Sequence, residues 1–433
     1  MEIRIVSREM IKPSSPTPNH LKSHKMSPMD QLVRDSYFSF ALFYSSGSTP
    51  LSSDHLKKSL SKTLSYYYPF AGRLNKDHHL SSVDCDDYGV TFVEARVAGD
   101  ISGLLKSPEL ELMVKRLRAY NPDEMLSAQV NLAVQANYFD CGGVAVIVSF
   151  RHFIADATAA ANFIKNWSIV SCGGNINIKD IVSDFNSIFP DQQNSTPLSK
   201  IDSQAIADLS EEAISKRFVF NGSQVAALRE KVGNQSTRFE VVLALIWGAM
   251  IDSTSQEEDQ ESNSQQFAII FPINLRKKMN PPLPEQCIGS VCTLGMTFWP
   301  TLEKVDHSKI ASKVRGLIGL VDEYARKGFE NGWKNLLMDY SGIDSKCKTR
   351  AINVISFLRL PFYEADFGSG KPIWVSIAHD QMKDTVNLLD TCDGQGVEVW
   401  VGLSKEQMIR FQQDPAILAY ASFNPTLQSP SSS

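Results

Sequence analysis

Gly143-Val-Ala-Val-Ile-Val-Ser-Phe-Arg-His152-Phe-Ile-Ala-Asp156-Ala-Thr-Ala-Ala-Ala-Asn-Phe-Ile-Lys-Asn-Trp167 is an apolar, β-branched run that ends at a histidine and passes into an Ala-rich stretch. The first part predicts a buried strand over Val144 to Phe150. The second, with apolar residues at helical spacing, predicts a helix over Ala157 to Trp167. Asp156 stands at the N-cap, where a carboxylate accepts bonds from the first helical amides. His152 then falls at the carboxyl end of a strand, where α/β proteins bind ligands, and imidazole is the side chain that takes and returns a proton near neutral pH. This placement suits a general base.

Outward from this junction, 433 residues suggest two domains, and a composition of 43% hydrophobic and 21% charged residues is that of a globular protein. A formal net charge of −5 with no basic block argues against nucleic acid and anionic membranes as partners, leaving a small molecule. The beginning, Met1-Glu-Ile-Arg-Ile-Val-Ser-Arg-Glu, lacks an apolar signal core, and no run of about 18 apolar residues follows, so a cytoplasmic location is expected. Seven cysteines without a Cys-x-x-Cys pair fit reduced thiols. Cys287 and Cys292 have no neighbouring histidine to complete a ligand set, so no metal is expected.

Leu56, Leu60 and Leu64 mark a helix within Leu51 to Tyr68 that should stop at Tyr68-Pro69. Between Phe185 and Leu209 the pattern dissolves into Pro, Gln, Asn, Ser and Asp, which predicts a crossover linker over 186–214 between an N-terminal domain, 1–185, and a C-terminal domain, 215–433. Ser215 to Phe220 reads as a strand. Thr237-Arg-Phe-Glu240 is a capping box opening a helix over Val241 to Ile251. Phe267 to Ile273, Ile373 to Ala378 and Val397 to Leu403 read as further strands, and Ser253 to Gln266 as a solvated loop.

Several ordered segments together resemble the plant BAHD acyltransferase family. They are Leu60-Ser-Lys-Thr-Leu64, Tyr67-Tyr-Pro-Phe-Ala-Gly-Arg73, Val83-Asp-Cys-Asp-Asp-Tyr-Gly89, Phe139-Asp-Cys-Gly-Gly143, His152-x-x-x-Asp156, Asn274-Leu-Arg276 and Asp366-Phe-Gly-Ser-Gly370. Lys216-Arg-Phe-Val-Phe220 and Met279-Asn-Pro-Pro-Leu-Pro284 are most similar to the branch of alkaloid acetyltransferases that includes vinorine synthase. The resemblance implies a two-domain α/β fold like chloramphenicol acetyltransferase, with a channel between the domains where acyl-CoA and an alcohol acceptor meet at His152. It implies acyl-CoA, acetyl-CoA in this branch, as co-substrate, with no permanently bound cofactor and no covalent intermediate; apart from the resemblance, a monomer is expected. The acceptor would be a plant specialised metabolite such as an alkaloid or terpenoid.

By the same resemblance Asp156 turns from the substrate to pair with Arg276, and Asp366, Gly368 and Gly370 support the fold from a tight turn. Lys216, Thr237 and Arg238 lie in segments that line the CoA face in relatives. Two positions depart from the family pattern. Ser369 replaces the Trp of Asp-Phe-Gly-Trp-Gly, and Phe357, after Ser356, replaces a Trp whose indole can stabilise the tetrahedral intermediate. The Ser356 hydroxyl is the substitute donor within reach of sequence reasoning. The alternative the two departures suggest is a repurposed scaffold, a lyase, cyclisation catalyst or binding protein.

Overall fold

Strand Val144–Arg151 is buried at all eight positions, which is why it reads as a continuous apolar run and not an alternating one. It lies between antiparallel partners Leu132–Phe139 and Tyr37–Tyr44 in a six-stranded sheet. The sheet runs Ile3–Ile11, Val90–Val97, Leu132–Phe139, Val144–Arg151, Tyr37–Tyr44, Trp374–Ile377. The computed structural model describes residues 1–33, 35–47, 50–75, 82–107, 110–118, 124, 129–179, 181, 185, 188–189, 213–254, 265–300, 303–327, 348–379 and 381–425.

A second, seven-stranded sheet runs Cys292–Pro300, Gln265–Asn274, Lys348–Ser356, Thr385–Asp390, Val397–Leu403, Ile214–Phe220, Ser422–Phe423. Both sheets are mixed: Val90–Val97 pairs in parallel with Leu132–Phe139, and Lys348–Ser356 with both its neighbours. Two mixed α/β units therefore lie side by side, as expected. The boundary by residue number is less clean. Trp374–Ile377, expected within 215–433, completes the first sheet by pairing with Tyr37–Tyr44. The linker expected over 186–214 lies almost wholly outside the described residues, but Phe185 and Phe189 on its near side are buried in the second core.

The helix Ala157–Ser171 packs against the helix Ser53–Leu64 and ties to it through the Trp167 indole, which donates to Ser59 Oγ at 3.0 Å. The latter helix stops earlier than Tyr68-Pro69. Tyr67 leaves the helical region at φ −103°, ψ 42°, and a 3-10 turn over Tyr68–Ala71 follows. Both Tyr67 and Tyr68 are buried there. In the second half, Thr237 and Glu240 form the expected reciprocal cap, Thr237 N–H to Glu240 Oε2 at 3.0 Å and Glu240 N–H to Thr237 Oγ1 at 3.3 Å. The helix they open, Arg238–Thr254, is buried on nearly every side. The solvated loop expected after it lies, from 255 to 264, outside the described residues.

The two cores interlock at the seam. Leu389 and Trp400 of the second sheet join the first core, and Met29 joins the second.

Candidate active site

His152 follows the last residue of strand Val144–Arg151, at the edge of this seam. Its backbone N–H donates to Ser36 O at 2.8 Å, and its ring meets the edge of Phe38 at 4.9 Å and 63°. Nδ1 is buried and has no hydrogen-bond partner on another residue among the described residues. Burial lowers the imidazole pKa below its ordinary 6.5, outweighing its own carbonyl and Asp156, which raise it. The ring is therefore neutral at pH 7 and able to accept a proton.

Asp156 is the N-cap of Ala157–Ser171, its Oδ1 accepting from Ala159 N–H at 2.9 Å. Its other oxygen accepts from Arg276 Nη1 at 2.6 Å and from Val291 N–H at 3.0 Å. Arg276, 0% exposed, also donates to the carbonyls of Cys287 and Gly289, both at 3.1 Å, and through Nε to Cys287 Sγ. Its charge is thus fully enclosed. A carboxylate, two carbonyls and a thiol sulfur surround it, the arrangement a buried guanidinium requires. His152, Asp156 and Arg276 are brought together across the two halves of the chain, and an isolated bridge between Ala155 and Gly289 joins the backbones there.

One member of this arrangement escaped the sequence. Asp30, buried, accepts from Ser27 N–H and Oγ, both at 2.7 Å, and from Ser290 N–H at 2.6 Å. Asp30 and Asp156 thereby grip consecutive amides, Ser290 and Val291, and Ser290 Oγ in turn lies 3.5 Å from His152 O. Gly289, at φ +96°, is required by this contact, because a Cβ would stand 2.9 Å from Asp30 Oδ1. Burial pushes the Asp30 carboxyl up to about 6 despite its three donors. Ser27-Pro-Met-Asp30 is a turn signal in the sequence, but nothing in it points to residue 290.

The remaining expected residues lie apart from His152. Asp366 Oδ1 accepts from the N–H groups of Gly368 and Gly370 at 2.7 and 3.0 Å, and both glycines have positive φ, +95° and +94°. This turn meets the far end of the helix that Asp156 starts, through Ser171 Oγ to Phe367 O and Cys172 Sγ to Asp366 O. A 15-residue helix separates them by about 22 Å. Phe357 is buried, with its ring 5.1 Å from Phe40, and Phe40 is 5.7 Å from Phe38, the ring that touches His152. Ser356 Oγ accepts from Leu358 N–H at 3.4 Å, which leaves its own hydrogen free to donate.

Arg238 is engaged inside the second unit, donating to Asp390, Gly394 O and Gly396 O. Thr237 caps its helix, and Lys216 lies over the Phe423 ring at 5.1 Å.

A family model described as the Transferase family matches residues 1–418. The chain is 42% identical to a limonoid 21-O-acetyltransferase of Melia azedarach over 99% of its own length and 100% of the relative's. Its fold is similar to the crystal structure of vinorine synthase, an enzyme of Rauvolfia serpentina, with a TM-score of 0.82, 30% identity, and 99% and 100% of the two chains covered. It is also similar to F. sporotrichioides TRI101 complexed with coenzyme A and T-2, with a TM-score of 0.73 over 93% and 100% of the chains. At 17% identity that last likeness is one of fold alone. The sequence and fold matches, each nearly full length, establish that the chain belongs to the BAHD family of acyl-CoA-dependent acyltransferases.

Proposed function

We propose that the chain transfers an acetyl group from acetyl-CoA to a hydroxyl of a polycyclic terpenoid of the limonoid type, with His152 as general base. The observation that carries this reading is the neutral imidazole at the seam, beside a carboxylate already engaged by Arg276. An acceptor hydroxyl that reaches His152 gives up its proton as its oxygen bonds to the thioester carbonyl carbon. The tetrahedral intermediate then loses the C–S bond, and the imidazolium returns the proton to the CoA sulfur, leaving an ester and free CoA. No protein group is acylated.

The higher identity to a limonoid acetyltransferase, 42% against 30% for the vinorine synthase structure, supports a terpenoid over an alkaloid acceptor. The coenzyme A held by the TRI101 fold relative supports a CoA thioester in a channel at the seam. Phe357 has no N–H to offer the intermediate, so the Ser356 hydroxyl is the donor we assign. Among the three residues expected on the CoA face, Lys216 keeps an ammonium with no carboxylate partner among the described residues, and it is the contact we assign to a CoA phosphate.

CoA release from acetyl-CoA with a panel of limonoid alcohols tests the reading. His152→Ala should lower turnover about 10²- to 10⁴-fold, the usual contribution of a general base. Wild-type release no greater than that of His152→Ala across the panel would refute it. Release with alkaloid alcohols alone would refute the limonoid assignment.

A further inference from the structure

One cavity of this chain lies apart from the His152 seam. It is a groove of about 620 Å³ between the end of the first strand and the helix Ser53–Leu64, floored by Ser59 and Ser171, and its size suits a small ligand. Four lysines and one glutamate supply its formal charges. Lys57 pairs with that glutamate, Glu9, at 2.5 Å. Lys12, Lys58 and Lys62 are exposed and pair with no carboxylate among the described residues. The groove is thus locally cationic in a chain whose net charge is −5.

Two of these lysines share one face of the helix. His55, Lys58 and Lys62 follow one another at i, i+3 and i+7 and share a face. Lys58 and Lys62, four apart, repel each other; Asp54, four residues before Lys58, offsets part of this within the helix, and an anion between the lysines would relieve the rest. Lys12 faces them across the groove, where Ser61 Oγ donates to its carbonyl at 2.8 Å. At the floor His55 Nε2 and Ser171 Oγ are 2.7 Å apart. Ser171 Oγ also lies 3.4 Å from Phe367 O, so the groove touches the Asp366 turn.

We infer that this groove binds a small polyanion carrying two or more phosphates. Its exposed lysines act as point charges, the mode in which lysine binds phosphate oxygens. The inference is independent of acyl transfer, and its test reads binding directly.

Sodium pyrophosphate is titrated calorimetrically into the full chain at low ionic strength, with sodium chloride at matched ionic strength and sodium citrate in parallel. Saturable pyrophosphate binding, tighter than that of citrate, is expected, and it should weaken roughly tenfold or more in Lys58→Glu. That substitution sets a glutamate four residues before Lys62, which favours the helix, and four residues after Asp54, which opposes it, so its melting temperature should lie near that of wild type. Lys62→Gln should weaken binding in the same direction. The inference is overturned by no binding up to about 10 mM, by equal heats with chloride, by tighter binding of citrate, or by undiminished binding in Lys58→Glu.

Discussion

Asp156→Asn separates a structural aspartate from a catalytic one. Asn retains one oxygen, which can keep the cap on Ala159 N–H, but its amide N–H₂ then faces Arg276 Nη1 and Val291 N–H, both donors. Turning the amide restores an acceptor to Arg276 and removes the cap, at about 1 kcal/mol. In either orientation a guanidinium that is 0% exposed loses its counter-charge, a loss of about 3–5 kcal/mol. Against a typical total of about 5–15 kcal/mol this is a large fraction. Urea unfolding midpoints and turnover per folded molecule should be measured for Asp156→Asn, Arg276→Met and the double variant. We expect a large drop in midpoint for each single change. The double variant should lose less than their sum by about 1–3 kcal/mol, because it no longer buries an unpaired charge. His152→Ala should show the opposite pattern, with turnover lost and midpoint nearly kept. If Asp156→Asn lost turnover to the level of His152→Ala with its midpoint unmoved, Asp156 would be a direct participant and the reasoning would fail.

The acid limb of kcat/KM against pH should have its midpoint below 6.5, because burial depresses the His152 pKa and the neutral base is lost as pH falls through it. A limb centred above 6.5 would contradict this. In Arg276→Met the limb should move upward by up to about one unit, since the Asp156 charge is then uncompensated; an unmoved limb would show that this charge does not reach the imidazole. Asp30, raised to about 6, binds in the native state a proton that the unfolded chain has released above about 4, so its stabilising contribution is present at low pH and lost as pH rises through 6. Asp30→Asn does not titrate, so the stability of wild type relative to it should fall by up to about 3 kcal/mol between pH 4 and 7, and a pH-independent difference in urea midpoints would refute the point. Ser356→Ala should lower kcat about 10²-fold with KM little changed if the hydroxyl meets the oxyanion; an unchanged kcat would remove it from that role.

What the sequence revealed of this site is what local chemistry specifies. The strand before His152 and the helix after Asp156 were legible because burial on both faces and an N-cap leave signatures within a few residues. The Thr237 and Glu240 cap was legible for the same reason. Asp30 was not, since its decisive partner is the backbone N–H of Ser290, 260 residues away, and a backbone amide has no residue identity to read. Phe38 was equally silent: one phenylalanine in an apolar strand, it is distinguished only by the ring it touches. The sheet to which Trp374–Ile377 belongs is likewise a matter of pairing, and strand patterning is the same in either sheet. Arg238, whose residue type invited a ligand role, is held by three acceptors that only the folded chain brings together.

The Asp156 and Arg276 pair then explains a tension within the site. A general base near pH 7 must be neutral, yet a carboxylate follows His152 by four residues, and an adjacent negative charge would hold the imidazole protonated. Arg276 resolves this by taking one carboxylate oxygen while the helix amide takes the other, so little of the charge is left to act on the ring. Burial then dominates and the pKa falls. The same guanidinium holds the carbonyls of Cys287 and Gly289, and Asp30 holds the next amide, so the element that neutralises the aspartate also fixes the loop against His152. The aspartate of His-x-x-x-Asp therefore serves the proposed base by being kept from it, and Arg276 is what holds it there.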